Sequence, residues 1–111
     1  MALELEYANM IERSIAYDIV VASLKEVFVQ SGMPVLDNVT GDTVLVGKDA
    51  VLDSLGVVSL IVEVEQRLEG GHGISVTLAN DKAMSQKNSP FRTVAVLTDH
   101  VMAMATEASA A

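Results

Sequence analysis

The segment LDSLGVVSLIVEVEQRL, residues 52–68, carries the apolar spacing that most constrains the fold. Its core-type side chains recur every three or four residues, at Val57, Leu60, Ile61, Val64 and Leu68. At 3.6 residues per turn they share an arc of roughly 100° on one helix. A helix with such a stripe must bury it against other elements. We therefore predict a helix from Ser54 to about Glu69, ended by Gly70-Gly71.

A first helix is predicted over about residues 9–31, ending at Ser31-Gly32 with Pro34 beyond, which is typical C-terminal punctuation. Two apolar stripes on it are expected to face the core. One consists of Met10, Tyr17, Val21, Leu24 and Phe28, and the other of Ile11, Ile15 and Ala22.

A last long helix is predicted to start near residues 89–93, and its core stripe is Val94, Leu97, Val101 and Met104. Either Ser89 caps it with Pro90 at the first position, or Thr93 caps it. Asn80 favours a short third helix over 80–86. The segment 74–78 alternates, but a lone strand has no partner, so we expect extended chain with Ile74 and Val76 facing inward.

The predicted fold is all-α, a small four-helix bundle of three longer helices and the short third one. A long loop, residues 32–53, joins the first two helices, and connections of that length are usually functional. We expect Val44, Leu45 and Val46 to hold this loop on the core. The domain is assigned to residues 9–105, with an N-terminal extension at 1–8 and a flexible tail at 106–111.

Composition excludes several classes of protein. The 111 residues contain no cysteine, so disulfides, cysteine zinc ligands and a cysteine nucleophile are absent. A net charge of −8 argues against nucleic acid as a partner. No apolar run approaches the roughly 18 residues of a membrane span, and MALELEYANM lacks the pattern of a secretory signal. We expect a cytoplasmic monomer that does not bind membranes.

The acidity is concentrated around the second helix. Residues 37–69 carry seven acidic and two basic side chains, whereas residues 70–111 carry three of each. A partner that meets this region is expected to be basic, with charge accelerating the encounter. The alternative is that the acidic residues serve only solubility.

A second face of the predicted second helix lies outside its core stripe. Taking Ser54 as zero, Val58, Val62 and Leu55 fall at about 40°, 80° and 100°, and Glu65 and Glu69 at about 20° and 60°. This arrangement has the apolar centre and polar rim of an interaction surface. The alternative is that the long loop or the short third helix covers the three aliphatic side chains.

The residues around Ser54 resemble the signature of acyl carrier proteins and related thiolation domains. Asp53-Ser54-Leu55 stands for the Asp-Ser-Leu that opens the second helix of that family, and the similarity continues through VSLIVEVEQRL, GISV and FRTVAVLTDHV. The match spans about residues 40–101. The tripeptide alone is weak evidence, and the combined spacing, length and acidity are stronger.

The resemblance implies a carrier rather than an enzyme, with no catalytic residue and no metal site of its own. Its cofactor would be 4′-phosphopantetheine on Ser54, and Asp53 would present Ser54 to a phosphopantetheinyl transferase and its metal. An acyl- or aminoacyl-ligase and downstream synthase or transferase enzymes would then dock on Leu55, Val58, Val62, Glu65 and Glu69. A helix N-terminus independently favours an anion such as the phosphodiester.

Two departures indicate a specialised carrier. Gly56 follows the Asp-Ser-Leu where fatty-acid carriers have an acid, and Ser59 replaces a further acid. The expected cargo is an acyl chain of a specialised lipid or secondary-metabolite pathway, and the alternative is an aminoacyl or peptidyl group.

Two rival hypotheses assign Ser54 a different role. In one, the chain is an unmodified helical interaction protein and Ser54 is only a helix cap. In the other, Ser54 is a hydrolase nucleophile, but His72 and His100 are the only possible bases, and no G-x-S-x-G elbow is present. We expect His72 in a solvated loop, His100 on the surface of the last helix, and Met84 either in the core or lining an acyl cavity.

Overall fold

Three helices make up the regular structure of the part of the chain that is described. The computed structural model describes residues 11–34, 36–80 and 89–110, with side chains up to residue 108. The helices are α1 (Arg13–Gln30), α2 (Ser54–His72) and α3 (Val94–Ala110). These ranges contain no strand, and their one β-bridge is isolated. The all-α prediction is confirmed, whereas residues 81–88, with most of the predicted short helix and Met84, lie outside the described residues.

The core lies where α1 packs against both α2 and α3. Each helix contributes aliphatic side chains that are almost fully buried, among them Val20, Leu24, Val27, Leu60, Val64, Leu68, Val94, Leu97 and Val101. The stripe predicted for α2 is confirmed, with Val57 half-buried at its edge. No helix in the described ranges is both long and apolar enough to cross a membrane.

The prediction for the buried face of α1 is partly wrong. Ile15 and Ala22 are exposed, and Tyr17 and Val21 are only half-buried. Leu24 and Phe28 are buried as predicted, and the other buried side chains of α1 are Ala16, Ile19, Val20, Ser23 and Val27. Since α1 is apolar on most of its circumference, helical spacing alone does not identify the arc that the partner helices cover.

The end of α2 also differs from the prediction. The helix continues through Gly70 and Gly71 and ends at Gly73, whose φ of 66° is left-handed. There the Ile74 N–H donates to the Leu68 carbonyl at 3.0 Å, as in a Schellman motif. Gly70 and Gly71 do not have positive φ, so only the third glycine of GGHG terminates the helix.

The long connection before α2 is bonded to the start of α3. The Val94 and Ala95 N–H groups donate to the carbonyls of Thr43 (3.1 Å) and Gly41 (2.8 Å), and the Leu45 N–H donates to the Arg92 carbonyl (2.7 Å). These bonds satisfy N–H groups that a helix start otherwise leaves free. Leu45 is fully buried, as expected for a residue that pins the loop.

The structure shows which residue caps α3 and where this helix ends. Of the two proposed caps, Thr93 is the one used, since its Oγ1 accepts from the Val96 N–H at 3.2 Å. Ser89 Oγ instead accepts from the Phe91 N–H at 3.1 Å in the preceding turn. The helix then continues to Ala110, through residues that the sequence assigned to a flexible tail.

The segment after α2, residues 74–78, belongs to no helix or strand. Ile74 is buried and Val76 half-buried, but the deepest side chain is Leu78, which is fully buried and was not singled out from the sequence. Alternate side chains of this segment therefore face the core, while Ser75 and Thr77 between them are exposed.

The buried hydroxyl of Ser23 is expected to lower the free energy of unfolding. Its side chain is fully buried on α1, and its hydroxyl has no hydrogen-bond partner in the described structure. We expect Ser23→Ala to raise the free energy of unfolding by about 1 kcal/mol, because it removes an unsatisfied hydroxyl and improves helix propensity. Urea denaturation measures this change.

Thr98→Val is the matched control for Ser23→Ala. The buried Thr98 hydroxyl donates to the Val94 carbonyl at 2.7 Å, so its removal is expected to give no gain in stability. A Ser23→Ala protein less stable than the parent would contradict the prediction.

Candidate functional site

Asp53 caps the N-terminus of α2. Its backbone is extended, and its Oδ1 accepts from the Gly56 N–H at 2.7 Å. Its carbonyl accepts from the Val57 N–H at 3.0 Å. A carboxylate at this position also complements the positive end of the helix dipole. The capping function therefore belongs to Asp53, and Ser54 is the first residue of the helix.

Ser54 is exposed at the first position of α2. Within the described residues, neither its hydroxyl nor the backbone N–H groups of Ser54 and Leu55 have a hydrogen-bond partner. Free N–H groups at a helix start, together with the helix dipole, favour an anion at this point. An exposed hydroxyl with no internal role thus lies beside a site where a phosphate group is stabilised.

We expect Asp53→Ala to lower the free energy of unfolding by about 1 kcal/mol, because the Gly56 N–H loses its acceptor. Asp53→Asn keeps an oxygen at the same place and is the matched control, with a smaller expected loss. Thermal or urea denaturation of the two variants measures the difference. Equal stability of parent and Asp53→Ala would mean that the cap contributes nothing.

Gly56 is buried directly under this cap. A Cβ added there would lie 3.1 Å from Leu52 Cδ2 and 3.2 Å from Asp53 Oδ1, both closer than usual contacts. From the sequence alone, Gly56 is interpreted as the loss of an acidic side chain from the edge of the docking surface. The structure explains why a glycine is present, since any side chain at this position would press on Leu52 and on the capping carboxylate.

The second face of α2 is exposed in the part of the chain that the structure describes. The exposed fractions are 74% for Leu55, 57% for Val58 and 43% for Val62. The long loop therefore does not cover these side chains, whereas most of the short third helix of that alternative lies outside the described residues. Three large aliphatic side chains in solvent on successive turns of one helix form a patch that needs an explanation beyond chance exposure.

An apolar groove of about 510 Å³ begins beside Ser54 and follows α2. Along the helix it extends from Ser54 to Glu65, about 16 Å at 1.5 Å per residue. Its other wall comes from the segment after α2 and from the turn before α3. The lining residues are Val46, Ser54, Val57, Val58, Ile61, Val62, Glu65, Thr77, Ala79 and Phe91. Most of these are aliphatic or aromatic, so the groove suits an apolar chain that starts at Ser54.

Glu65, at the far end of this groove, and His100 both bond to the backbone of Leu78. The half-buried Glu65 accepts from the Leu78 N–H through Oε2 at 2.8 Å, and His100 Nε2 lies 2.8 Å from the Leu78 carbonyl. The sequence placed Glu65 on an exposed docking rim and His100 on the surface. Both side chains instead bond to Leu78, in the segment after α2. No periodic pattern in the sequence indicates these two bonds. Glu69 is exposed, as expected.

The hydrolase arrangement is not formed by the described residues. His72 is the last residue of α2, about 27 Å from Ser54 along the helix axis, and is exposed. His100 is bonded to Leu78. Neither imidazole contacts the Ser54 hydroxyl. The part of the chain that the structure covers also contains no group of three or more side chains able to hold a metal ion.

Comparisons with protein-family models, with curated proteins and with solved structures found no match for this chain.

Proposed function

We propose that the protein is an acyl carrier protein that holds its cargo as a thioester on 4′-phosphopantetheine attached to Ser54. The observation that carries the proposal is the placement of Ser54. Its hydroxyl is exposed and unpartnered in the described structure, next to free helix N–H groups, and it opens onto the apolar groove. The resemblance of residues 40–101 to carrier proteins supports the same assignment.

The Ser54 site fits a phosphodiester. The free N–H groups of Ser54 and Leu55 favour the anion, and the exposed position admits a modifying enzyme. In the attachment step, Ser54 Oγ would attack the phosphoanhydride of coenzyme A, lose its proton to a base of the transferase and release 3′,5′-ADP. When bound, the group supplies the thiol that a chain without cysteine lacks.

The groove favours an acyl cargo over an aminoacyl one. Apart from Ser54, Glu65 and Thr77, its lining offers only apolar side chains. An alkyl chain gains by leaving water there, whereas an ammonium group would lose hydration. The aminoacyl alternative is therefore secondary. We include in the proposal the short third helix over 80–86, which would complete a four-helix carrier bundle.

The rival proposal is an unmodified helical interaction protein, and the exposed Leu55, Val58 and Val62 favour it equally. The capping role that it gave to Ser54 is performed by Asp53. That leaves the exposed serine without a function in the rival account.

The test is incubation of the unmodified protein with a broad-specificity phosphopantetheinyl transferase, Mg²⁺ and coenzyme A. We expect intact-mass spectrometry to show one added 4′-phosphopantetheinyl group per chain, and peptide mapping to place it on Ser54. An unchanged mass, in a reaction where a known carrier is fully modified, would contradict the carrier function.

A further inference from the structure

Leu78 is held on both sides of its backbone by side chains from two different helices. The Leu78 N–H donates to Glu65 Oε2 of α2 at 2.8 Å, and the Leu78 carbonyl lies 2.8 Å from His100 Nε2 of α3. A carbonyl oxygen only accepts, so Nε2 carries the proton and donates. With the Leu78 side chain fully buried as well, this residue is fixed by three independent interactions. We call the Glu65, Leu78 and His100 contacts the clamp.

The clamp is continuous with the apolar groove. Thr77 and Ala79, the neighbours of Leu78, line the groove, as does Glu65 itself. The His100 ring also packs edge-on against Phe91, with ring centroids 5.6 Å apart and an interplanar angle of 84°. Phe91 is another lining residue. The groove wall opposite α2 therefore depends on the positions of Glu65 and His100.

We propose that Glu65 and His100 are specificity-determining residues, because their clamp on Leu78 fixes the wall formed by Thr77 and Ala79. This wall limits the length of the aliphatic chain that the groove accepts from Ser54. The inference rests on the proposed function only in taking residue 54 as the point of attachment. The occupant is an alkyl chain, since the lining between Ser54 and the clamp is almost wholly apolar.

This assignment gives Glu65 a role that does not depend on its charge. A docking acid acts through its negative charge, whereas the clamp needs only an oxygen that accepts from the Leu78 N–H. Glu65→Gln keeps such an oxygen and removes the charge. Glu65→Ala removes both, so this pair of variants separates the two roles.

The test uses a chain attached to residue 54 without any modifying enzyme. Because the protein contains no cysteine, the thiolate of a Ser54→Cys variant is the single site for N-alkyl iodoacetamides. The sulfur displaces iodide and forms a thioether, which leaves an alkyl group at the groove entrance. We expect Tm to rise with alkyl length until the groove is full and then to rise no further.

In Ser54→Cys proteins that also carry Glu65→Ala or His100→Phe, we expect this limiting length to increase. His100→Phe keeps an aromatic ring against Phe91 and lacks the donor. Glu65→Gln and His100→Gln each retain a group that can bond to Leu78, so they are expected to keep the parental limiting length. A limiting length that is the same in all of these proteins would overturn the proposal, as would a Tm that does not depend on alkyl length in any of them.

Amide hydrogen exchange at Leu78 is the second measurement, and it needs no attached chain. We expect roughly tenfold faster exchange in Glu65→Ala than in Glu65→Gln, because the N–H loses a charge-assisted bond that the amide oxygen largely replaces. Equal exchange in the two variants would contradict the clamp. Neither measurement involves phosphopantetheine, so each can fail while Ser54 is modified normally, and each can succeed if it is not.

Discussion

Replacing Ser54 by alanine is expected to abolish covalent modification completely while leaving the protein folded. The hydroxyl is the proposed nucleophile, and no other group at the start of α2 can form the phosphodiester. Because Ser54 is exposed, and Asp53 rather than Ser54 caps the helix, the change in the free energy of unfolding should stay within about 0.5 kcal/mol. Intact mass after transferase treatment and a urea titration give the two readouts.

Ser59→Ala is the matched control for Ser54→Ala. Ser59 lies on the same helix but is half-buried and does not line the groove. We expect this variant to take up one group, as the parent does. If Ser54→Ala still gained the group, attachment would occur at another residue, and the site would be misassigned even though the protein was a carrier.

The second large effect is expected from lysine substitutions at two valines of α2. Val62 is 43% exposed on the uncovered face, whereas Val64 is fully buried in the core. Val62→Lys should change stability by no more than about 0.5 kcal/mol. It should also lower the kcat/KM of the modifying transferase at least about fivefold, because it replaces an apolar contact with a cation that repels a basic partner.

Val64→Lys should instead lower the free energy of unfolding by several kcal/mol, since it buries an unpaired charge. The contrast separates a docking defect from a folding defect two residues apart on one helix. A Val62→Lys protein that is modified and loaded at the parental rate would show that partners use a different face.

The core stripe of α2 was predictable from the sequence because Val57, Leu60, Ile61, Val64 and Leu68 keep one helical spacing. The same reasoning failed for Ile15 and Ala22, since α1 is apolar on most sides. There the packing of α2 and α3 decides which arc is buried. Similarly, the glycines of GGHG indicate that a helix ends there, but only the backbone dihedral angles show that Gly73 is the left-handed residue.

The candidate site was predictable where it depends on local chemistry. Asp53 and Ser54 are typical of a helix start, and the angles of Val58 and Val62 placed them outside the core stripe, where both are exposed. The clamp was not predictable, because it joins Glu65, Leu78 and His100 from three distant segments. Isolated polar residues have no periodicity, so only the folded chain brings them together.

The bonds between the connection before α2 and the start of α3 determine when the Ser54 site becomes complete. The carbonyls of Gly41 and Thr43 and the N–H of Leu45 bond to residues 92–95, which a ribosome makes much later. Until those residues emerge, the segment leading into Asp53 lacks its anchor, although Ser54 has already been synthesised. We therefore expect the proposed modifying enzyme, if it recognises the finished helix start, to act after translation of the last helix rather than on the nascent chain.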